Sequence, residues 1–134
     1  MMTYKTALTE SITASADVVK NRFANFSGGY CGAGEKALGV FELDTDSGEQ
    51  APVIVYGIAL VEAGGAIAVG DAVTSDADGK AVKADSATVT ITSATGDGDA
   101  GTYNVSGGVL AQAVNGYALD AASAAGEVIR VRLV

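Results

Sequence analysis

Few residues in this chain can do chemistry, and the missing types narrow the options quickly. There is no histidine among the 134 residues, and there is one cysteine, Cys31. Without an imidazole, Ser-His-Asp and Cys-His nucleophile arrangements, the common zinc sites and the usual general base are out of reach. Cys31 sits among glycine and apolar neighbours with nothing to generate its thiolate, so it reads as a structural thiol. A single cysteine also forms no intrachain disulfide.

Three other patterns test for a cofactor, metal or substrate site. Gly29 to Gly34 has the spacing of a phosphate-binding loop, but Glu35 stands where a lysine must reach the phosphates. Lys36 comes one residue late, and Ala37 then offers no hydroxyl for Mg²⁺. A dinucleotide fingerprint fails as well, because Gly32-Ala33-Gly34 continues into Glu35-Lys36-Ala37. Two acidic loops, Asp76-Ala77-Asp78-Gly79 and Asp97-Gly98-Asp99-Ala100-Gly101, suggest calcium. A calcium loop of the EF-hand kind closes with a bidentate Glu at its twelfth position, which here is Ala87 or Gly108. Both loops read instead as turns. Asp44, Asp46 and Glu49 resemble a glycosidase carboxylate set only in spacing, because no aromatic or Arg residue nearby shapes a sugar pocket. The residues therefore point to a protein that is not an enzyme and that needs no cofactor or metal.

Charge narrows the partners further. The net charge is −8. Residues 1–36 are nearly balanced, whereas residues 37–127 carry thirteen acids against Lys80 and Lys83. An acidic body does not neutralise phosphates, so neither nucleic acid nor anionic lipid is an expected partner. The start Met-Met-Thr-Tyr-Lys-Thr has no apolar segment behind it, and no run approaches the ~18 residues of a membrane span. Synthesis in a reducing cytoplasm is the expectation.

The elements that carry these residues read as β. Val53-Ile54-Val55-Tyr56-Gly57-Ile58-Ala59-Leu60-Val61 is short and β-branched, and Glu62-Ala63-Gly64-Gly65 ends it. Ala66 to Ser75 predicts a strand pair broken near Gly70-Asp71. Asp76 to Gly79 predicts a tight turn, and Lys80 to Lys83 a short strand leaving it. Thr88 to Thr92 alternates polar and apolar, and Thr95 to Gly101 is a Gly/Asp loop. Val128 to Leu133 predicts a closing strand with Arg130 and Arg132 facing out together. Ser15 to Lys20 offers a short turn of helix capped by Ser15. The expected fold is mainly β: a small single-domain barrel or sandwich with Gly/Asp-rich turns and at most one or two short helical turns. With no Trp, five Tyr and three Phe, the side chains that fill it are mostly small. Small side chains bury little area each, so assembly is expected to complete the burial.

Two segments share a local pattern. Phe41-Glu42-Leu43-Asp44 is followed by Gly48-Glu49 and the strand at Val53. Tyr117-Ala118-Leu119-Asp120 is followed by Gly126-Glu127 and the strand at Val128. Each reads as a strand, an Asp-capped turn and a returning strand, a hairpin that also recurs by chance in β folds.

The stretch from Gly57 to Val82, the ending Asn115 to Glu127 with its closing strand, and the phrase Leu38-Gly39-Val40 together resemble the capsid cement, or head decoration, proteins of tailed phages. The likeness spans roughly residues 37–134, with residues 84–108 as a variable hairpin or loop insertion, and residues 1–30 match poorly. It implies a decoration domain over 28–134 and an N-terminal arm and lead-in over 1–27. It further implies a homotrimer on the outer surface of the virion head that clamps neighbouring major capsid protein subunits. In such proteins an arm often orders on the shell by adding a strand. The arm here runs from Met1 to Thr13, and Thr3, Tyr4, Lys5, Thr6, Ala7 and Leu8 are its candidate capsid-binding residues. A trimeric tail, fibre or baseplate β module is the competing structural reading. A carbohydrate-active domain resting on the acidic turns is the competing enzymatic one.

Overall fold

Alternation of side chains across a strand decides where this chain puts its few large residues. A computed structural model of the protein describes residues 5–85 and 112–134. It contains eight strands and, among the described residues, no helix: β1 (Thr6–Thr13), β2 (Phe23–Ala24), β3 (Gly39–Phe41), β4 (Gln50–Glu62), β5 (Ala72–Ser75), β6 (Ala81–Lys83), β7 (Gly116–Ala118) and β8 (Val128–Leu133). They form one sheet in the order β2-β3-β4-β8-β7-β5-β6, with β1 also paired to β4. The sheet curls until its ends nearly meet. Phe23 N–H donates to Gly79 O at 2.7 Å, and Gly34 N–H to Ser75 O at 2.9 Å. The fold is thus a small, nearly closed all-β barrel, as the sequence pattern indicates.

Some local expectations change. Ser15 to Lys20 does not turn into helix, because Val18 exchanges both backbone hydrogen bonds with Thr45 at 2.9 Å and Asp17 accepts from Ser47 N–H. Only the second half of the expected pair over Ala66 to Ser75 becomes a strand. The first half is an isolated bridge between Ile67 and Ala122. The turn at Asp76 forms as expected, with Asp76 Oδ1 accepting from Asp78 and Lys80 N–H. The expected strand at Thr88 to Thr92 and the loop at Thr95 to Gly101 lie outside the described residues.

A repeat runs beyond the expected hairpins, but its register differs from the sequence match. Phe41 corresponds to Ala118 rather than Tyr117, so Leu43-Asp44 and Leu119-Asp120 are offset by one residue, while Gly48-Glu49 and Gly126-Glu127 correspond. One repeat comprises β1, β2, β3 and the first half of β4; the other comprises the second half of β4 with β5 to β8. The pairs Ser11↔Pro52, Ile12↔Ala51 and Thr13↔Gln50 recur as Leu60↔Arg130, Val61↔Ile129 and Glu62↔Val128. Phe23↔Val40 and Ala24↔Gly39 recur as Ala72↔Tyr117 and Val73↔Gly116. Val40↔Ile54 and Phe41↔Val53 recur as Tyr117↔Arg132 and Ala118↔Val131. The reciprocal bonds of Val18 and Thr45 return between Ile67 and Ala122. Even a close approach is repeated. A Cβ on Gly39 would lie 2.1 Å from Ile54 O, and one on Gly116 would lie 2.5 Å from Arg132 O. Only glycine fits at either position.

The repeats stack through alternate faces of the first. Ala24, Phe41 and Val53 point into one core with Ala14, Val18 and Ala51. Their strand neighbours Phe23, Val40 and Ile54 point the other way, into a larger core built mainly from the second repeat, with Ala59, Val61, Val73, Ile129 and Val131. Arg22 reinforces this joint by pairing with Glu62 at 2.9 Å. At the junction within β4, Gly57 has φ +107°, and a Cβ there would meet Lys5 O at 2.6 Å. That glycine lets β1 cross closely where one repeat passes into the next.

Candidate functional site

The chemistry-bearing residues resolve into turn and core roles. Asn25 Oδ1 accepts from Ser27 and Gly29 N–H at 2.8 and 2.9 Å, which turns those amides of the glycine loop inward. Cys31 is buried, its Sγ lies 3.4 Å from Glu35 O, and burial pushes the thiol up. Asp44 caps Lys20 N–H at 2.9 Å, while the carbonyl of Asp46 accepts from Glu49 N–H. Among the described residues no three acidic or thiol side chains gather as a metal site. The second acidic loop, Asp97 to Gly101, lies outside the described residues.

The strongest polar arrangement braces the end of the barrel. Arg130 grips Asp120 with both Nε and Nη2 at 2.9 Å, and Arg130 N–H donates to the same carboxylate. These bonds, the side-chain ones foremost, hold Asp120 below the ordinary carboxylate range. Glu127 accepts from Ser123 N–H, Ser123 Oγ and Ala124 N–H, which lowers it likewise. Both acids fasten the turn that leads into β8.

What remains open is β1. Every residue from Thr6 to Thr13 is exposed except Ile12, which packs partly on the smaller core. One edge of β1 pairs with β4, and its other edge pairs with no strand among the described residues. This edge is eight residues long, lacks Pro and Gly, and carries Glu10 as its single charge. Sheets usually blunt such an edge with charge, proline, a bulge or a covering loop. Here Glu10 and the register shifts at Leu8 do so only locally, and Thr9 to Thr13 keep a regular register that can serve as a template for an added strand. Of the sequence-derived site residues, Thr6, Ala7 and Leu8 lie in β1 and Lys5 immediately precedes it, with its carbonyl accepting from Ile58 N–H at 2.7 Å. Thr3 and Tyr4 lie outside the described residues.

Sequence reasoning missed Tyr56. It lies within the expected apolar strand, is 63% exposed, and registers beside Leu8, itself 51% exposed. The register shift between Leu8 and Thr9 sets this pairing, and β-bulges of this kind leave no mark in composition.

The comparisons with known proteins fall in line with this geometry. The phage cement protein family matches residues 2–133, so the match takes in the N-terminal segment that the sequence likeness left out. No curated protein matches the chain. Among solved structures, the N base of the head fiber protein gp8.5 of bacteriophage phi29 has a similar fold, with a TM-score of 0.63. That likeness covers 95% of this chain and 93% of the other at 23% identity. By the family match over nearly its whole length, the chain belongs to the phage cement proteins.

Proposed function

We propose that this protein binds the outside of a phage head as a homotrimer and cements neighbouring major capsid protein subunits. The observation that carries the reading is the open edge of β1. A strand already held in register by β4 presents backbone donors and acceptors to a segment of the shell at little ordering cost. Lys5 to Leu8 begin this surface, and Tyr56 widens it. Three such edges on one trimer would bind with avidity, because the first contact raises the effective concentration of the others. Subunits of the shell then separate only if cement contacts break too. No turnover and no cofactor is required.

The test is cosedimentation with expanded, empty heads. The full chain is expected to sediment with them, and a chain lacking residues 1–8 is expected to stay folded and remain in the supernatant. The deletion spares Ile12 and so leaves the smaller core covered. Unchanged sedimentation of the shortened chain would refute a contact through residues 1–8. The likeness to a head fiber base supports a second reading, a platform on the head that holds a fibre. In that case the protein would bind heads without raising the temperature at which they release DNA.

A further inference from the structure

The stacked repeats leave one face of each without its counterpart. Inside the chain, the outward face of the first repeat, with Phe23, Val40 and Ile54, is seated on the inward face of the second, with Ala59 and Val61. The matching outward positions on the second repeat are Ala72, Tyr117 and Arg132. There Tyr117 is 41% exposed and Arg132 is exposed. The matching inward positions on the first repeat are Glu10 and Ile12, exposed and half-buried. The chain therefore contains one completed joint and, at its two ends, the two unlike halves of a second one.

The side chains at these open halves are complementary. Ile54 and Ala59 share the core of the completed joint; their counterparts are Arg132 and Glu10, a cation and an anion. Neither forms an ion pair among the described residues. We propose that copies of this chain join head to tail, with the face around Tyr117 and Arg132 of one copy docking on the face around Glu10 and Ile12 of the next, and with Arg132 paired to Glu10. The contact uses two unlike patches, so it closes into a ring when the rotation permits. A twofold contact of either patch with itself would bring like charges together. The inference deepens the homotrimer reading by assigning the faces that form it, and it rests on that reading.

Mass in solution, measured on the full chain by light scattering and native mass spectrometry, tests the charge pair. Glu10→Arg and Arg132→Glu each reverse one charge at an exposed position, and each is expected to weaken association by about tenfold or more. The double exchange is expected to recover the wild-type mass. A second measurement does not depend on stability. Glu10→Cys and Arg132→Cys chains, oxidised by diamide, are expected to cross-link when mixed and not when either is alone. Single reversals that keep the wild-type mass, or cross-links within either cysteine variant alone, would overturn the head-to-tail contact. A monomeric wild type would overturn it together with the homotrimer. Cosedimentation with heads is scored separately, so a trimer that assembles by other faces and still binds heads would leave the cement reading standing.

Discussion

Phe41 is the largest fully buried side chain in the smaller core, and replacing it measures how much that core holds. It is fully buried among Ala14, Val18, Ala24, Ala51 and Val53, and it meets Tyr30 edge to face with ring centroids 6.3 Å apart. Its fully buried neighbours are small and fixed by backbone pairing, so they have little freedom to collapse into the space it leaves. Phe41→Ala is therefore expected to cost about 3–5 kcal/mol, toward the upper part of that range because the core cannot relax. The edge-to-face contact contributes about 0.5–1.5 kcal/mol of this. Against a domain stability of about 5–15 kcal/mol, the variant sits close to unfolding. Phe41→Leu keeps most of the volume and is expected to lose clearly less. Urea unfolding followed by far-ultraviolet circular dichroism suits a chain with no Trp. All variants must be compared at one protein concentration, because any self-association would shift the midpoint. A loss below about 1.5 kcal/mol, the cost of a volume-conserving swap, would show that the smaller core does not depend on this ring and would refute the packing argument.

Two further predictions follow from the glycines and the acids. Gly39→Ala and Gly116→Ala each push a methyl against a carbonyl oxygen and are expected to cost about 1–3 kcal/mol or more in urea unfolding. Gly48→Ala and Gly126→Ala, where φ is +87° and +96° but nothing lies within 4 Å, are expected to cost only about 1–2 kcal/mol. Asp120 and Glu127 are both held below their unfolded pKa values, so their contribution is present above the unfolded carboxylate range and lost as pH falls through the folded values. The thermal midpoint is expected to be level near neutral pH and to fall below about pH 4, and Asp120→Asn should flatten part of that fall.

Sequence patterns showed most clearly where side chains decide the structure. The β-branched run at Val53 to Val61, the Asp-Gly turn at Asp78-Gly79, and the shared outward face of Arg130 and Arg132 all follow from local chemistry. The repeat was legible in register only at Gly48-Glu49 and Gly126-Glu127, which lead into β4 and β8. The aromatic-x-Leu-Asp match is one residue out of the backbone register, in which Phe41 answers to Ala118. Elsewhere it is carried by backbone pairing while the side chains diverge: Phe23 answers to Ala72, Val40 to Tyr117, Ile54 to Arg132. Ser15 to Lys20 has a plausible helix cap, but tertiary pairing of Val18 with Thr45 overrides that weak preference. The candidate surface was placed at Thr3 to Leu8 without the exposed Tyr56, because the register shift that pairs it with Leu8 has no sequence signal.

The central claim is that the open edge of β1 is what the phage head covers. Amide hydrogen exchange of the protein, free and bound to expanded heads, tests it most directly. On binding, amides within Thr6 to Thr13 that face away from β4 are expected to slow by at least about tenfold, as a newly paired strand requires. Unchanged exchange across β1 in protein that remains bound to the heads would contradict the account.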